Sequence, residues 1–221
     1  MSAYLPLDPG LVINRALQIY RDQIAVLLPA ALVVFAIQAI VVVAFSNVLG
    51  VVVSVVSMVL STFYQGMVVE LVQDVQDGRR DQSVQGLFAS VTPVLITLIA
   101  AAIVNGLGVA IGLVLLIVPG LFLLTIWSVV APVIVIERTR LLEAFRRSHD
   151  LVRGNGGPVF VVILIVFVGL AVANFLVAVL THGLGDGASA AITWLFNAAT
   201  APISALTAAV LYFTLRERAA R

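Results

Sequence analysis

Glu137, Arg138, Arg140, Glu143, Arg146, Arg147, His149, Asp150 and Arg153 crowd into residues 137–153 of a chain that is otherwise nearly free of charge. A guanidinium reads phosphate through two parallel hydrogen bonds. Beside an anionic leaflet each arginine is worth about 1 kcal/mol. Arg140, Arg146, Arg147 and Arg153, with Arg79 and Arg80 farther up the chain, are therefore candidates for anionic lipid headgroups. The same residues also fit a solvated amphipathic face and a charge signal that sets topology. Glu70 and Glu137 end two long apolar runs. As a carboxylate pair they would bind a cation or carry protons; alternatively they pair with Arg138, Arg79 or Arg80. His149 and His182 fall on opposite sides of the expected membrane and cannot share a metal. Ser128 and Ser148 have no His and Asp at a recognisable triad spacing. Asn105-Gly106-Leu107-Gly108 lacks the lysine of a phosphate loop. The chain has no cysteine, which removes thiolate nucleophiles, disulfides and cysteine-ligated metals. No catalytic residue, cofactor or metal ligand is expected.

The elements that carry these residues follow from composition. Hydrophobic residues make up 62% of the 221 positions and charged residues 10%, against about 45–50% and about 25% in soluble domains. Such a chain needs hydrocarbon as its solvent. The net charge of +1 gives no reason to expect nucleic acid as a partner. Residues 91–136 carry no charge at all. As one helix they would run roughly 69 Å, twice the hydrocarbon thickness of about 30 Å. They must fold back, and Pro119-Gly120 is the expected break. A barrel strand would show about ten residues of alternating character. These runs are continuous, and only a helix satisfies its own backbone over such a length in lipid. The expected class is an all-α polytopic membrane bundle. Its six transmembrane helices fall at about 24–45, 48–72, 91–117, 120–137, 158–181 and 188–215 in a single domain. The first run is too long for the apolar region of a signal peptide, roughly 7–15 residues, and is read as a retained span.

All twelve basic residues are arginine. They fall in the N-terminal segment, the second-to-third connection, the fourth-to-fifth connection and the C-terminal segment. The connections around Ser46-Asn47, Pro119-Gly120 and His182 contain none. The positive-inside rule then puts both termini in the cytoplasm of a bacterial plasma membrane. Amphipathic elbows are expected at 9–21, 82–90 and 139–153, lying in the headgroup plane with the apolar face down. Asp8 is the expected N-cap of the first, with Pro9 at its first position. Each elbow precedes a pair of spans, which makes three elbow-plus-hairpin units. Within the spans Gln38, Gln65, Asn105, Asn174 and Asn197 either line a path or hydrogen-bond between helices. Gly108 with Gly112, and Gly169 with Ala173, fit close helix contacts within the chain or with another copy.

The stretch Ile117-Val118-Pro119-Gly120-Leu121, Trp127, Ala131-Pro132-Val133, Glu137, Leu142-Glu143-Ala144-Phe145-Arg146-Arg147-Ser148, and Leu151-Val152-Arg153-Gly154 resembles the membrane domain of bacterial glycerophosphodiester phosphodiesterases and related stand-alone multi-pass proteins. The resemblance is sharp over 117–154 and topological elsewhere. In that family a separate soluble barrel does the hydrolysis, and no such domain is expected in these 221 residues. The resemblance implies a membrane module without phosphodiesterase activity. Three functions follow as expectations. The first is a non-enzymatic module or scaffold touching the bilayer and its anionic headgroups, with a second copy or another membrane protein as a further partner. The second is a small-molecule or lipid transporter. The third is a membrane-embedded enzyme built on Glu70, Glu137 and His149.

Overall fold

A computed structural model describes residues 7–45, 50–78 and 84–220. Among them there is no strand. The helices are α1 (Pro9–Asp22), α2 (Ile24–Phe45), α3 (Gly50–Gln76), α4 (Val84–Val91), α5 (Leu95–Leu115), α6 (Ile117–Ile126), α7 (Val130–Glu137), α8 (Leu141–Val152), α9 (Gly156–Thr181) and α10 (Asp186–Ala219). Six segments are long and apolar enough to cross a bilayer: Ile24–Val43, Val53–Gln76, Gln85–Leu115, Ile117–Glu137, Gly156–Thr181 and Gly187–Ala219. The chain is an all-α polytopic bundle.

Its three units close into a ring. The second arms α3, α7 and α10 touch one another at the centre. Each first arm packs on its own second arm and on that of a neighbour: α2 on α3 and α10, α5 on α6 and α3, α9 on α10 and α6. Each elbow docks on the unit before it, cyclically: α1 on α10 and α9, α4 on α3, α8 on α7. Burial follows this order. The α10 span is 61% buried and the α9 span 11%, so α10 is the axis and α9 is a wall facing lipid. Lipid tails are as apolar as leucine, so packing, small residues and hydrogen bonds must hold the helices together. Tyr64 donates to the Leu27 carbonyl at 3.2 Å, and Trp194 Nε1 donates to that of Phe35 at 3.1 Å. Tyr20 donates to Ala199 at 2.9 Å, one residue from the Ala198 carbonyl that Pro202 leaves without an amide partner.

Two features differ from the sequence expectation. The turn between α5 and α6 falls at Leu116, whose φ −159° and ψ 133° are extended, and not at Pro119-Gly120. Proline belongs in a first helical turn, where its missing amide costs nothing. Gly120 serves a close approach: a Cβ there would meet Leu113 at 2.5 Å, and one on Gly112 would meet Gly120 Cα at 2.8 Å. Secondly, the fourth span is broken at residues 127–129. Pro132 cannot bond the Ser128 carbonyl, and the helix restarts at Val130. Irregular backbone at this depth is tolerated where protein covers it, and Val129 and Val130 are buried.

The elbows also differ in what they touch. Val12, Ala16 and Ile19 of α1, Leu87 and Val91 of α4, and Ala144, Phe145, Leu151 and Val152 of α8 are buried in the protein. Their apolar faces are docking surfaces between units, where a face lying down on lipid was expected. Asp8 does cap α1, accepting from the Gly10 amide at 2.8 Å.

Candidate functional site

Charged side chains gather where the elbows meet the ends of α3, α7 and α10. Arg138 ends α7 in the left-handed region, at φ 53° and ψ 34°. For a residue with a Cβ this costs roughly 1–2 kcal/mol. Two contacts hold it there. Its Nη1 donates to the Ser90 carbonyl at 2.7 Å, and its Nη2 meets Glu70 Oε1 at 3.2 Å. One turn deeper into the third unit, Arg147 Nε lies 3.1 and 3.2 Å from the two oxygens of Glu137. The Tyr212 hydroxyl donates to the same carboxylate at 2.9 Å. Glu70 thus ties the first unit to the second, and Glu137 ties the second to the third. Beneath them the Ser148 hydroxyl, fully buried, donates to the Ile126 carbonyl at 2.7 Å. That bond satisfies backbone at the broken fourth span, and Phe145 stacks edge-on against Trp127 beside it, centroids 4.9 Å apart. The pair Phe63–Phe88 occupies the corresponding junction of α3 and α4, also at 4.9 Å.

Arg147 is therefore spoken for, although its sequence context groups it with the headgroup candidates. Arg140, Arg146 and Arg153 remain exposed and make no ion pair among the described residues. Leu142 stands 73% exposed beside them. Arg79 and Arg80 lie outside the described residues, as do the start of the second elbow and the Ser46-Asn47 turn. Glu70 and Glu137 are each held by a different arginine, and no hydrogen bond links either to His149, which is exposed on α8. No cluster of three metal-ligating side chains occurs among the described residues.

Mid-span polar residues form a second set. Asn174 donates to the Leu170 carbonyl of its own helix at 3.0 Å. Thr200 and Thr207 likewise bond back to Phe196 and Ile203, a common refuge for short polar side chains in helices. These groups do not bridge helices. They line cavities: Asn105 and Gln65 face one of about 650 Å³, and Asn174, Asn197 and Gln38 face another of about 700 Å³. Tyr212 was not singled out from the sequence, and Ser148 was weighed there only as a triad serine. Nothing in local spacing marks them, since their partners lie 75 and 22 positions away.

The geometry defines a multi-pass α-helical membrane protein with an arginine-rich rim at one end and cavities along its spans. A protein of Pectobacterium carotovorum subsp. carotovorum described as a UPF0259 membrane protein is 32% identical over 90 residues, 41% of this chain and 36% of that relative. The chain thus matches little more than a third of the relative's length. No protein-family profile matches the chain, and no solved structure matches it. The comparisons do not support the phosphodiesterase membrane-domain resemblance, whose sharp part is the pattern at 117–154.

Proposed function

We propose that the chain is a non-enzymatic module of a bacterial inner membrane, with both termini cytoplasmic, that binds anionic lipid headgroups along α8. One observation carries this reading. The arginines nearest a carboxylate, Arg138 and Arg147, are consumed by ion pairs between units, while Arg140, Arg146 and Arg153 are left pointing outward beside an exposed leucine. A docked helix with a free cationic edge and an apolar neighbour suits the boundary between headgroup and acyl chain. The inner-membrane placement and orientation are supported by the segregation of arginine among the connections. A non-enzymatic role is supported by the separate engagement of Glu70 and Glu137 by different arginines, neither carboxylate being hydrogen-bonded to His149 among the described residues.

The test uses the full chain in neutral detergent. Phosphatidylglycerol is expected to raise the Tm more than phosphatidylcholine does. The variant Arg140→Gln/Arg146→Gln/Arg153→Gln is expected to respond to the two lipids equally. A triple variant that keeps the wild-type preference for phosphatidylglycerol discards the headgroup site.

A further inference from the structure

Three cavities run end to end beside α10. The first is walled by α3, α5, the broken fourth span (α6 and α7), α9 and α10, and the second by α2, α9 and α10. The third, about 750 Å³, lies under the turn at His182. The first and second share Leu170 and Ser204; the second and third share Ala190, Trp194 and Asn197. Along α10 the lining recurs at 190, 194, 197, 201, 204, 208 and 211, the spacing of one helical face. On α9 it recurs at 163, 167, 170, 174, 178 and 181. From Ser189 to Leu211 the groove rises about 33 Å, close to the roughly 30 Å of hydrocarbon. It runs from the His182 turn to the level where Tyr212 meets Glu137.

Its chemistry is polar without charge. Gln65, Asn105, Gln38, Asn174 and Asn197 punctuate an otherwise apolar wall, and none of the described lining residues is Asp, Glu, Lys or Arg. Two lining atoms, Gln38 Oε1 and Ser128 Oγ, are buried with no hydrogen-bond partner. Leaving such a group unpaired costs about 1–3 kcal/mol, so a guest that brings donors is favoured there. The rims face outward: Phe167 is 67% exposed and Val43 79% exposed. A groove open sideways at hydrocarbon depth admits what already resides in the bilayer. With no carboxylate or guanidinium among its described lining residues, it offers an ionic guest no charged partner. It suits a headgroup without net charge, whose acyl chains stay outside against the exposed wall of α9.

We propose that this groove carries the headgroup of zwitterionic phospholipid between leaflets, passively. The activity is separate from the arginine edge of α8 and stands or falls independently of it.

The experiment reconstitutes the full chain into phosphatidylethanolamine/phosphatidylglycerol vesicles. These carry a trace of acyl-chain-labelled fluorescent phosphatidylethanolamine, and dithionite is then added to bleach the outer leaflet. With wild-type protein, bleaching is expected to pass beyond the outer-leaflet fraction. Ala201→Trp, which plugs the groove, and Asn174→Leu/Asn197→Leu, which strips its polarity, are expected to stop at that fraction. Asn174→Gln/Asn197→Gln restores passage. Wild-type vesicles that bleach no further than protein-free ones overturn the proposal. So does an Ala201→Trp variant that folds and still passes lipid, equal passage of labelled phosphatidylglycerol, or bleaching of a water-soluble dye sealed inside the vesicles.

Discussion

Arg147 and Tyr212 converge on one carboxylate from two helices of the third unit, and that convergence makes Glu137 a joint between units. The hydroxyl of Tyr212 reaches an ionised acceptor from a side chain that is itself fully buried. A hydrogen bond to a charged group contributes roughly 1.5–3 kcal/mol when dry. The partly exposed Arg147 beside Glu137 weakens the dependence on any single donor. Tyr212→Phe is therefore expected to cost about 1.5 kcal/mol, at the low end of that range. Ser148→Ala is expected to cost more, roughly 2–3 kcal/mol, because it leaves the Ile126 carbonyl without its buried donor at a helix break. Thermal unfolding of the two variants in detergent checks both the loss and the order. A Ser148→Ala protein as stable as wild type would mean that the broken span does not depend on α8.

At the scale of elements, glycines separate contact from open space. Gly112 sits against the backbone of Gly120, and a Cβ on Gly108 would strike the Trp127 ring at 2.5 Å, while Gly169 has nothing within 4 Å. All three read alike in the sequence, as small residues one turn from another small residue. Gly112→Leu is expected to pry α5 from α6 and to reduce the folded yield sharply. Gly169→Leu is expected to leave yield and Tm unchanged, measured by fluorescence-detected size exclusion. If Gly169→Leu instead dissociates an oligomer, that face of α9 is a contact with another copy. Spans and elbows were legible because their signal is local: a continuous apolar run, a proline in a first turn, an arginine outside the hydrocarbon. The break at 127–129 was not, because Pro132 alone does not end a helix; the break also needs α8 to supply Ser148.

The whole molecule is a ring of three units in which every elbow belongs by sequence to one unit and by contact to the one before it. Such interlocking has a consequence for assembly: each elbow packs mainly on the unit before it and less on its own. Topology is testable directly, because the natural chain has no cysteine. Gly185→Cys in the turn before α10 is expected to react with a membrane-impermeant maleimide in intact spheroplasts. Ala219→Cys, near the end of α10, is expected to react only after permeabilisation. The reverse pattern would invert the bundle and move the arginine edge to the outer leaflet.

Hydrocarbon cannot hydrogen-bond a backbone, so an apolar stretch long enough to cross it has to be a helix, and arginine has to stay outside. Those two constraints act residue by residue along the chain. They let the sequence alone determine the class of fold and its six apolar helices, while the sidedness rests on the labelling test. Tertiary structure decided which arginines are ion-paired and which are not, where the fourth span breaks, and that Asn105 lines one cavity while Asn174 and Asn197 line its neighbour. These are properties of helix faces that meet across the bundle, set by the rotation of each helix against partners dozens of residues away. No local pattern records that rotation.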